Sequence, residues 1–520
     1  IRTILDARYN YSYSDGDQWY EWSPDGKWFI ASYSPHSVFM SDVALIDSRG
    51  GADPINLTNS GYSDNYPRWM MKGNVITWFS DREGMRSHGS WGAQDDVYAY
   101  FLNQESFDRF NLPKEEYELI REKEKKKKEI EKKQRELEEG IVEDEDKKET
   151  VEEINIDLDN LEDRKIKLTI NSSSLADAIL TPDGEILYYL SKFEDGYDLW
   201  VNKLKEKETK MLMNLKGNAG ALQLDKEGKN LFLFSDKKII KIKLGEKPEK
   251  KTVDFKAEIN LDHAAEREYM FEHVWRQVKK KFYTPDLHGV DWDFYKAEYI
   301  KFLPYINNNY DFAEMLSEML GELNASHTGS GYRNRDKNGD ETARLGIFVD
   351  PSFSGPGIRI SEVIDKSPLH QAGSKITEGV VIERIDLIVI DSTMNYWELL
   401  NHKADKKTLL SLYDSLSGER WEESVKPITI GEEYQLLYQR WVKRMRAMTD
   451  SLSGGRIGYV HVRGMNSSSF REFYSEVLGR NWDKEALIVD TRFNGGGWLH
   501  DDLATMLNGK KYVEFYPLGV

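Results

Sequence analysis

The chain has 520 residues, a formal net charge of -18 and no cysteine. Its length exceeds what one hydrophobic core organises, so several domains are predicted, and the acidic balance argues against a nucleic-acid partner, which would need a basic face. The absence of cysteine excludes a disulfide framework and thiolate metal sites, and no run of about 18 apolar residues offers a transmembrane helix. Composition leaves the compartment open between cytoplasm and bacterial periplasm.

Residues 1–112 alternate short aromatic and β-branched runs with turn signals, an all-β pattern. Ser23-Pro24-Asp25-Gly26 reads as a tight turn feeding a strand from Lys27 to Ser34, because Pro presets φ and Gly accepts a positive one. Pro67-Arg68-Trp69 with Lys72-Gly73-Asn74, then Thr181-Pro182-Asp183-Gly184 and Glu227-Gly228-Lys229, repeat the signal. Within each half the copies lie about 45 residues apart, the spacing of four-stranded blades, which predicts β-propeller blades over 1–112 and 168–253. Between them, 113–167 is packed with Glu, Lys and Asp. Its i,i+4 pairs, such as Glu124 with Lys128, support a salt-bridged helix, but Ile120, Ile130 and Leu137 form no heptad seam. The segment reads as a solvated insertion that adds little to the core.

Residues 254–343 turn helical. Phe271, Val274, Trp275, Val278 and Phe282 recur at helical spacing, and Asp311 with Glu314 resembles a capping box ahead of the stripe Phe312, Met315, Leu316, Met319, Leu320 and Leu323. His288, in a polar and aromatic loop, has no metal-spaced partner and is read as a surface residue. Asn324-Ala325-Ser326-His327-Thr328-Gly329 follows the last apolar position, so Ser326 and His327 are predicted at the helix C-terminus. A partly buried imidazole there could serve as a general base; by spacing alone a structural cap is the commoner role.

Further on, Gly355-Pro356-Gly357, a strand Ile358–Val363, Ser367-Pro368-Leu369-His370-Gln371-Ala372-Gly373 and Gly379–Asp386 make 344–410 similar to a PDZ domain, departing at Leu387-Ile388, where many relatives carry a glycine turn. The edge of such a sheet can pair with an extended peptide. From 411 to 520 the chain reads as an α/β unit. A strand at Arg456–Val462, a helix capped by Ser469 and Glu472, and a strand at Leu487–Val489 lead into Asp490-Thr491-Arg492-Phe493-Asn494-Gly495-Gly496-Gly497. Three successive glycines leave backbone N–H groups uncovered, which suits an anion site as well as a plain tight turn.

The A-L-I-V strand with D-T-R-F-N-G-G-G, the upstream L-N-A-S-H-T-G and the PDZ-like region between them resemble the tricorn and C-terminal processing peptidase superfamily. The resemblance implies a multidomain serine endopeptidase: β-propeller region, helical segment, PDZ-like domain and α/β peptidase core, incomplete at the C-terminus. It implies His327 as general base, Ser326 as part of the hydrogen-bond relay, and Gly495, Gly496 and Gly497 as the oxyanion loop. Oligopeptides or unfolded protein segments are the implied substrates, with no cofactor or metal, and a homo-oligomer is compatible with it. In that family the nucleophilic Ser and its acidic partner come later in the chain, so both are expected beyond Val520, with Lys511–Val520 read as an interrupted strand. The competing expectation is a peptide-binding propeller and PDZ scaffold around an inactive or truncated core.

Overall fold

The structure is a computed structural model that describes residues 2–9, 16, 18–37, 40–86, 93–139, 153–334, 336, 338–497 and 499–509. The stretch read as an interrupted strand, 511–520, lies outside them. The chain divides into two compact units, Ile1–Phe255 with Tyr459–Val520, and Lys256–Gly458.

In the first unit four four-stranded antiparallel meanders follow one another: β1 (Tyr20–Trp22), β2 (Trp28–Ser37), β3 (Met40–Asp47) and β4 (Ile55–Asn56); β5 (Asp64–Met70), β6 (Val75–Ser80), β7 (Asp96–Phe101) and β8 (Lys165–Lys167); β9 (Ser174–Leu180), β10 (Ile186–Lys192), β11 (Tyr197–Lys203) and β12 (Glu208–Gly217); β13 (Ala219–Leu224), β14 (Asn230–Ser235), β15 (Lys238–Lys243) and β16 (Glu249–Val253). Period-2 alternation gives each sheet two apolar faces, which stack on the neighbouring sheets. Ile30, Val43 and Leu45 meet Ile76, Trp78 and Tyr100; Phe79, Val97 and Phe101 meet Leu180, Leu187 and Tyr189; Leu190 and Leu199 meet Leu231 and Ile242.

The predicted turns open the first and third sheets in the same way. Ser23 and Thr181 each donate a hydroxyl to an Asp two residues on, at 2.6 Å, and accept the N–H of the residue five on. In the second sheet the turn runs through Met71 and Lys72, both at positive φ.

Residues 153–167 are folded into this unit, which narrows the predicted insertion. Ile154 and Leu161 are buried between the first two sheets, Arg164 donates to the carbonyls of Phe101 and Asp159 at 3.0 and 2.9 Å, and β8 completes the second sheet. After the short helix α1 (Gln104–Asn111), the charged helix α2 (Lys114–Glu139) is anchored at its start. Tyr117 is 4% exposed and donates to the carbonyl of Asp183, Arg121 pairs with Glu185 at 2.6 Å, and Arg109 grips Glu124 through two bonds. The reading of this segment as adding little to the core therefore fails for its first turns, because one aromatic among the charges finds a pocket.

In the second unit, α3 (His263–Lys281), α4 (Trp292–Tyr299) and α5 (Asn309–Gly321) enclose a core of Phe271, Trp292, Phe312, Leu316, Met319 and Leu323. Trp275 and Trp292 each donate the indole N–H to the other's carbonyl, at 3.2 and 3.1 Å. The cap of α5 is Asn308, whose side chain accepts the Asp311 N–H at 2.9 Å; the helix starts earlier than predicted because this asparagine already satisfies its first turn.

An antiparallel sheet follows in the order β17 (Ile347–Val349), β18 (Ile358–Val363), β19 (Val380–Ile385), β21 (Thr408–Asp414), β22 (Arg420–Val425), with β20 (Ile388–Val389) paired to β19. Leu410, Leu412 and Val425 share its core, so this body extends past the predicted limit at 410. Asp386 and Leu387 form its two-residue hairpin turn with φ of 47° and 67°, the conformation a glycine turn would have adopted without strain. Helix α6 (Ile430–Ser453) starts from a full capping box at Thr429 and Glu432.

The chain then forms β23 (Ile457–His461), α7 (Ser467–Ser475), β24 (Ala486–Asp490) and α8 (His500–Leu507), with β23 and β24 paired. Asn466, rather than Ser469, caps α7, accepting the Ser469 N–H at 2.9 Å.

Tyr117→Ala is expected to destabilise the first unit by about 2–4 kcal/mol, whereas Lys125→Ala and Glu129→Ala on the exposed part of α2 should stay within about 0.5 kcal/mol in urea unfolding. Asp95 gives a pH test. Burial first, then Asp81 and Asp96, push its carboxyl up to about 7. An acid whose folded pKa is raised costs stability as pH rises from its unfolded value, near 4, to its folded value. Asp95→Asn should therefore stabilise the chain by on the order of 2 kcal/mol at pH 8, with the gain disappearing by pH 4.

Candidate active site

The glycine loop hangs from β24 by a carboxylate clasp. Asp490 is buried, and Arg492 Nη2 and Nε reach its carboxylate at 2.5 and 3.0 Å, while the Arg492 N–H and the Tyr459 hydroxyl donate to it at 2.9 and 2.7 Å. Arg492 holds the Asp490 carboxyl far below the usual carboxylate range, and burial, helped by Asp490, pushes the Tyr459 phenol up to about 12. His461 Nε2 donates to the carbonyl of Arg492 at 2.7 Å, and the Asn494 amide donates to the carbonyl of Val462 at 2.9 Å. Phe493, at φ 64°, turns outward and is 87% exposed.

The three glycines are not equivalent. Gly496 sits at φ 86° and gives its N–H to Asn494 Oδ1 at 2.8 Å, so that amide is engaged within the loop. Gly497 sits at φ 142°, and a Cβ there would lie 2.5 Å from Met465 Cβ. Gly495 has no positive φ and open space where a Cβ would go. Among the described residues, the N–H groups of Gly495 and Gly497 find no acceptor, which leaves two amides for an incoming anion.

Ser326 and His327 belong to the second unit. Beyond the end of α5, Leu323 is fully buried and Ala325 packs on the helical core, while Ser326 and His327 are both exposed. The predicted partly buried imidazole is thus a surface one, because the turn carries it past the helix end. Asn324 and His327 adopt φ of 46° and 63°, a conformation that costs a non-glycine residue about 1 kcal/mol or more. The turn is pinned on two sides. Ser317 exchanges two bonds of 2.9 Å with the Ser330 backbone, and Thr328 donates to the carbonyl of Ala325.

Sequence reasoning missed His288. Its Nδ1 donates to the carbonyl of Leu323 at 3.1 Å, and its Nε2 accepts from the Tyr283 hydroxyl, so this surface histidine ties its loop to the base of the His327 turn. Nothing in the spacing of 35 residues announces that bond. Asn494 was missed too, although an Asn before glycines signals a side chain that bonds its own turn. Among the described residues no cluster of His, Cys, Asp or Glu has metal-holding geometry.

The loop geometry ranks its glycines. Gly497→Ala should lower Tm by several degrees, since it combines a steric clash with a strained φ, whereas Gly495→Ala should leave Tm within about 1 °C; equal effects by differential scanning fluorimetry would contradict this assignment.

Residues 263–321 match the tricorn protease C1 domain and residues 456–514 match peptidase family S41. Tricorn protease homolog 1 of Streptomyces coelicolor is 28% identical over 300 residues, covering 55% of this chain and 28% of that protein. The tricorn protease of Thermoplasma acidophilum is 25% identical over 366 residues, covering 67% and 33%. A crystal structure of the tricorn protease superposes with a TM-score of 0.70 at 18% identity, over 96% of this chain and 48% of that one, so the folds agree. The chain spans at most about a third of the length of these curated relatives. Two segments of the chain thus match family models of the tricorn protease and of peptidase family S41, and the fold is shared with the tricorn protease, so the chain is similar to part of the tricorn-like peptidases.

Proposed function

We propose that this chain is the propeller, helical, PDZ-like and oxyanion-loop portion of an endopeptidase that hydrolyses oligopeptides or unfolded segments through an acyl-enzyme. The observation that carries the reading is the glycine loop. Inside the segment matching peptidase family S41, a buried carboxylate clasp fixes a loop whose Gly495 and Gly497 amides are unspent. Fixed N–H donors without internal acceptors stabilise charge that develops on a carbonyl oxygen, at no reorganisation cost.

In this mechanism a serine hydroxyl attacks the scissile carbonyl while His327 takes its proton. The carbonyl oxygen becomes an oxyanion held by the Gly495 and Gly497 amides. Collapse expels the amine, which takes the proton from His327, and leaves an ester on the serine. Water, deprotonated by His327, then attacks the ester, and the proton returns to the serine as the carboxylic acid leaves. Ser326 is assigned to the relay that orients the imidazole once substrate is bound, and the exposed position and left-handed φ of His327 suit a side chain meant to meet a reacting group. The nucleophile is assigned to a serine following the loop, beyond Val520. The blade-like sheets and the PDZ-like body limit access to extended chains.

The alternative, a peptide-binding scaffold around an inactive core, is favoured by one observation: among the described residues His327 has no hydrogen-bond partner. One experiment separates the two. In the intact protein, His327→Ala should lower kcat on a fluorogenic peptide by at least about 1,000-fold with KM little changed. Ser326→Ala should retain labelling by a fluorophosphonate probe, and peptide mapping should place the label after residue 520. Full turnover in His327→Ala removes the base assignment, and labelling at Ser326 removes the relay assignment.

A further inference from the structure

The carbonyl of Leu323 is the last before the chain turns left-handed at Asn324. Leu323 has no exposed surface, so water does not reach that oxygen, and among the described residues no backbone N–H does either. A buried acceptor left unmade is costly, and one donor meets this one, His288 Nδ1 at 3.1 Å. A carbonyl can only accept, so Nδ1 carries the imidazole proton and Nε2 is left to accept from the Tyr283 hydroxyl. The hydroxyl thereby selects the tautomer that Leu323 needs. Phe282 meets the same ring edge to face, with centroids 5.1 Å apart. Behind the ring, Leu287 and Val290 belong to the helical core, and Leu287 and His288 take successive left-handed φ of 51° and 59°, a tight loop that aims the imidazole at its acceptor.

The bond matters because of where it sits. The far side of the His327 turn is held by Ser317 on the Ser330 backbone and by Thr328 on the Ala325 carbonyl. The near side must keep Asn324 at its strained φ of 46°, and relaxing that residue would carry the rest of the turn, His327 included, away from its place. We propose that His288 is a positioning residue for His327: through the Leu323 carbonyl, and with Tyr283 fixing its tautomer, it holds the near side of the turn so that the His327 imidazole stands ready for the reacting serine. The inference rests on the base role proposed above for His327 and deepens it. His288 touches no substrate in this assignment and acts only through the turn. A base displaced by about 1 Å can cost on the order of 100-fold in rate, so one hydrogen bond that sets its location has a large lever.

The test uses the intact protein and reads turnover and backbone mobility separately. His288→Ala should lower kcat on the fluorogenic peptide about 10- to 100-fold with KM little changed. His288→Asn should recover most of that loss, because its amide N–H lies about where Nδ1 does and asparagine tolerates a left-handed φ. Tyr283→Phe should act in the same direction by less, and it serves if His288→Ala fails to fold. In a His327→Ala background, His288→Ala should cost nothing further in kcat, which a general loss of stability would not reproduce. Amide hydrogen exchange across residues 324–329 should quicken at least about 10-fold in His288→Ala while α5 keeps its protection. Native kcat in His288→Ala beside a crippled His327→Ala, a loss that adds in full to that of His327→Ala, or unchanged exchange across 324–329 overturns this proposal alone. Full turnover in His327→Ala removes the base assignment and this proposal with it.

Discussion

Arg68 is the bond on which the first unit depends. It lies on β5, and its guanidinium reaches Glu21 on β1 at 3.2 Å, Asp177 and the Ala178 carbonyl on β9 at 2.8 and 3.2 Å, and the Leu222 carbonyl on β13 at 3.4 Å. Those are the first strands of all four sheets. Asp177 returns the favour by accepting the Leu222 N–H at 2.6 Å. Apolar stacking between sheets is non-directional and does not by itself decide which strand lies innermost; one planar cation with five donors does. Burial raises the Asp177 pKa while Arg68 opposes it, so the two charges are mutually compensated, and loss of either would strand the other in a poorly solvated place.

The same principle, at smaller scale, shapes the glycine loop. Arg492 is fastened to Asp490 two residues away, so the backbone between them has little freedom, and Asn494 closes the turn with both ends of its amide. Gly496 then serves the loop and Gly497 makes room for Met465. Only Gly495 is a glycine that neither φ nor packing requires, which directs attention to its accessible amide. A loop used for electrostatic catalysis must be stiff before substrate arrives, and here the stiffness comes from charged hydrogen bonds rather than from burial of the loop itself.

What was legible in the sequence was local. Ser23-Pro24-Asp25-Gly26 and Thr181-Pro182-Asp183-Gly184 announce their turns because each hydroxyl and carboxylate acts within five residues. The second sheet's turn was legible only from its neighbours, since Met71 and Lys72 take positive φ without the usual glycine. The helix caps at Asn308 and Asn466 were read three residues late, because an Asn followed by more polar residues leaves several candidate starts. Long-range pairings were not legible at all: Tyr117 with Asp183, His288 with Leu323 and Arg344 with Glu433 join segments whose separation carries no periodic signal. The motif residues Ser326, His327 and Gly495–Gly497 stood out only through family resemblance, since spacing alone made them a cap and a turn.

Two helices of the second unit are fixed in different ways. Helix α5 buries Phe312, Met315, Leu316, Met319 and Leu320, so lifting it would expose several large side chains at about 2 kcal/mol each. Helix α6 has only partly covered apolar side chains such as Leu437 and Trp441, and exposed ion pairs like Lys443 with Asp365 contribute no more than about 1 kcal/mol apiece. The Thr429 capping box secures its first turn, and Glu433 with Arg344 is more buried than Arg440 with Glu362 or Lys443 with Asp365, so removing either member of that pair would leave the other charge half-buried. Apolar packing is non-directional, so these paired charges add the specificity that fixes the register of α6 on its neighbours.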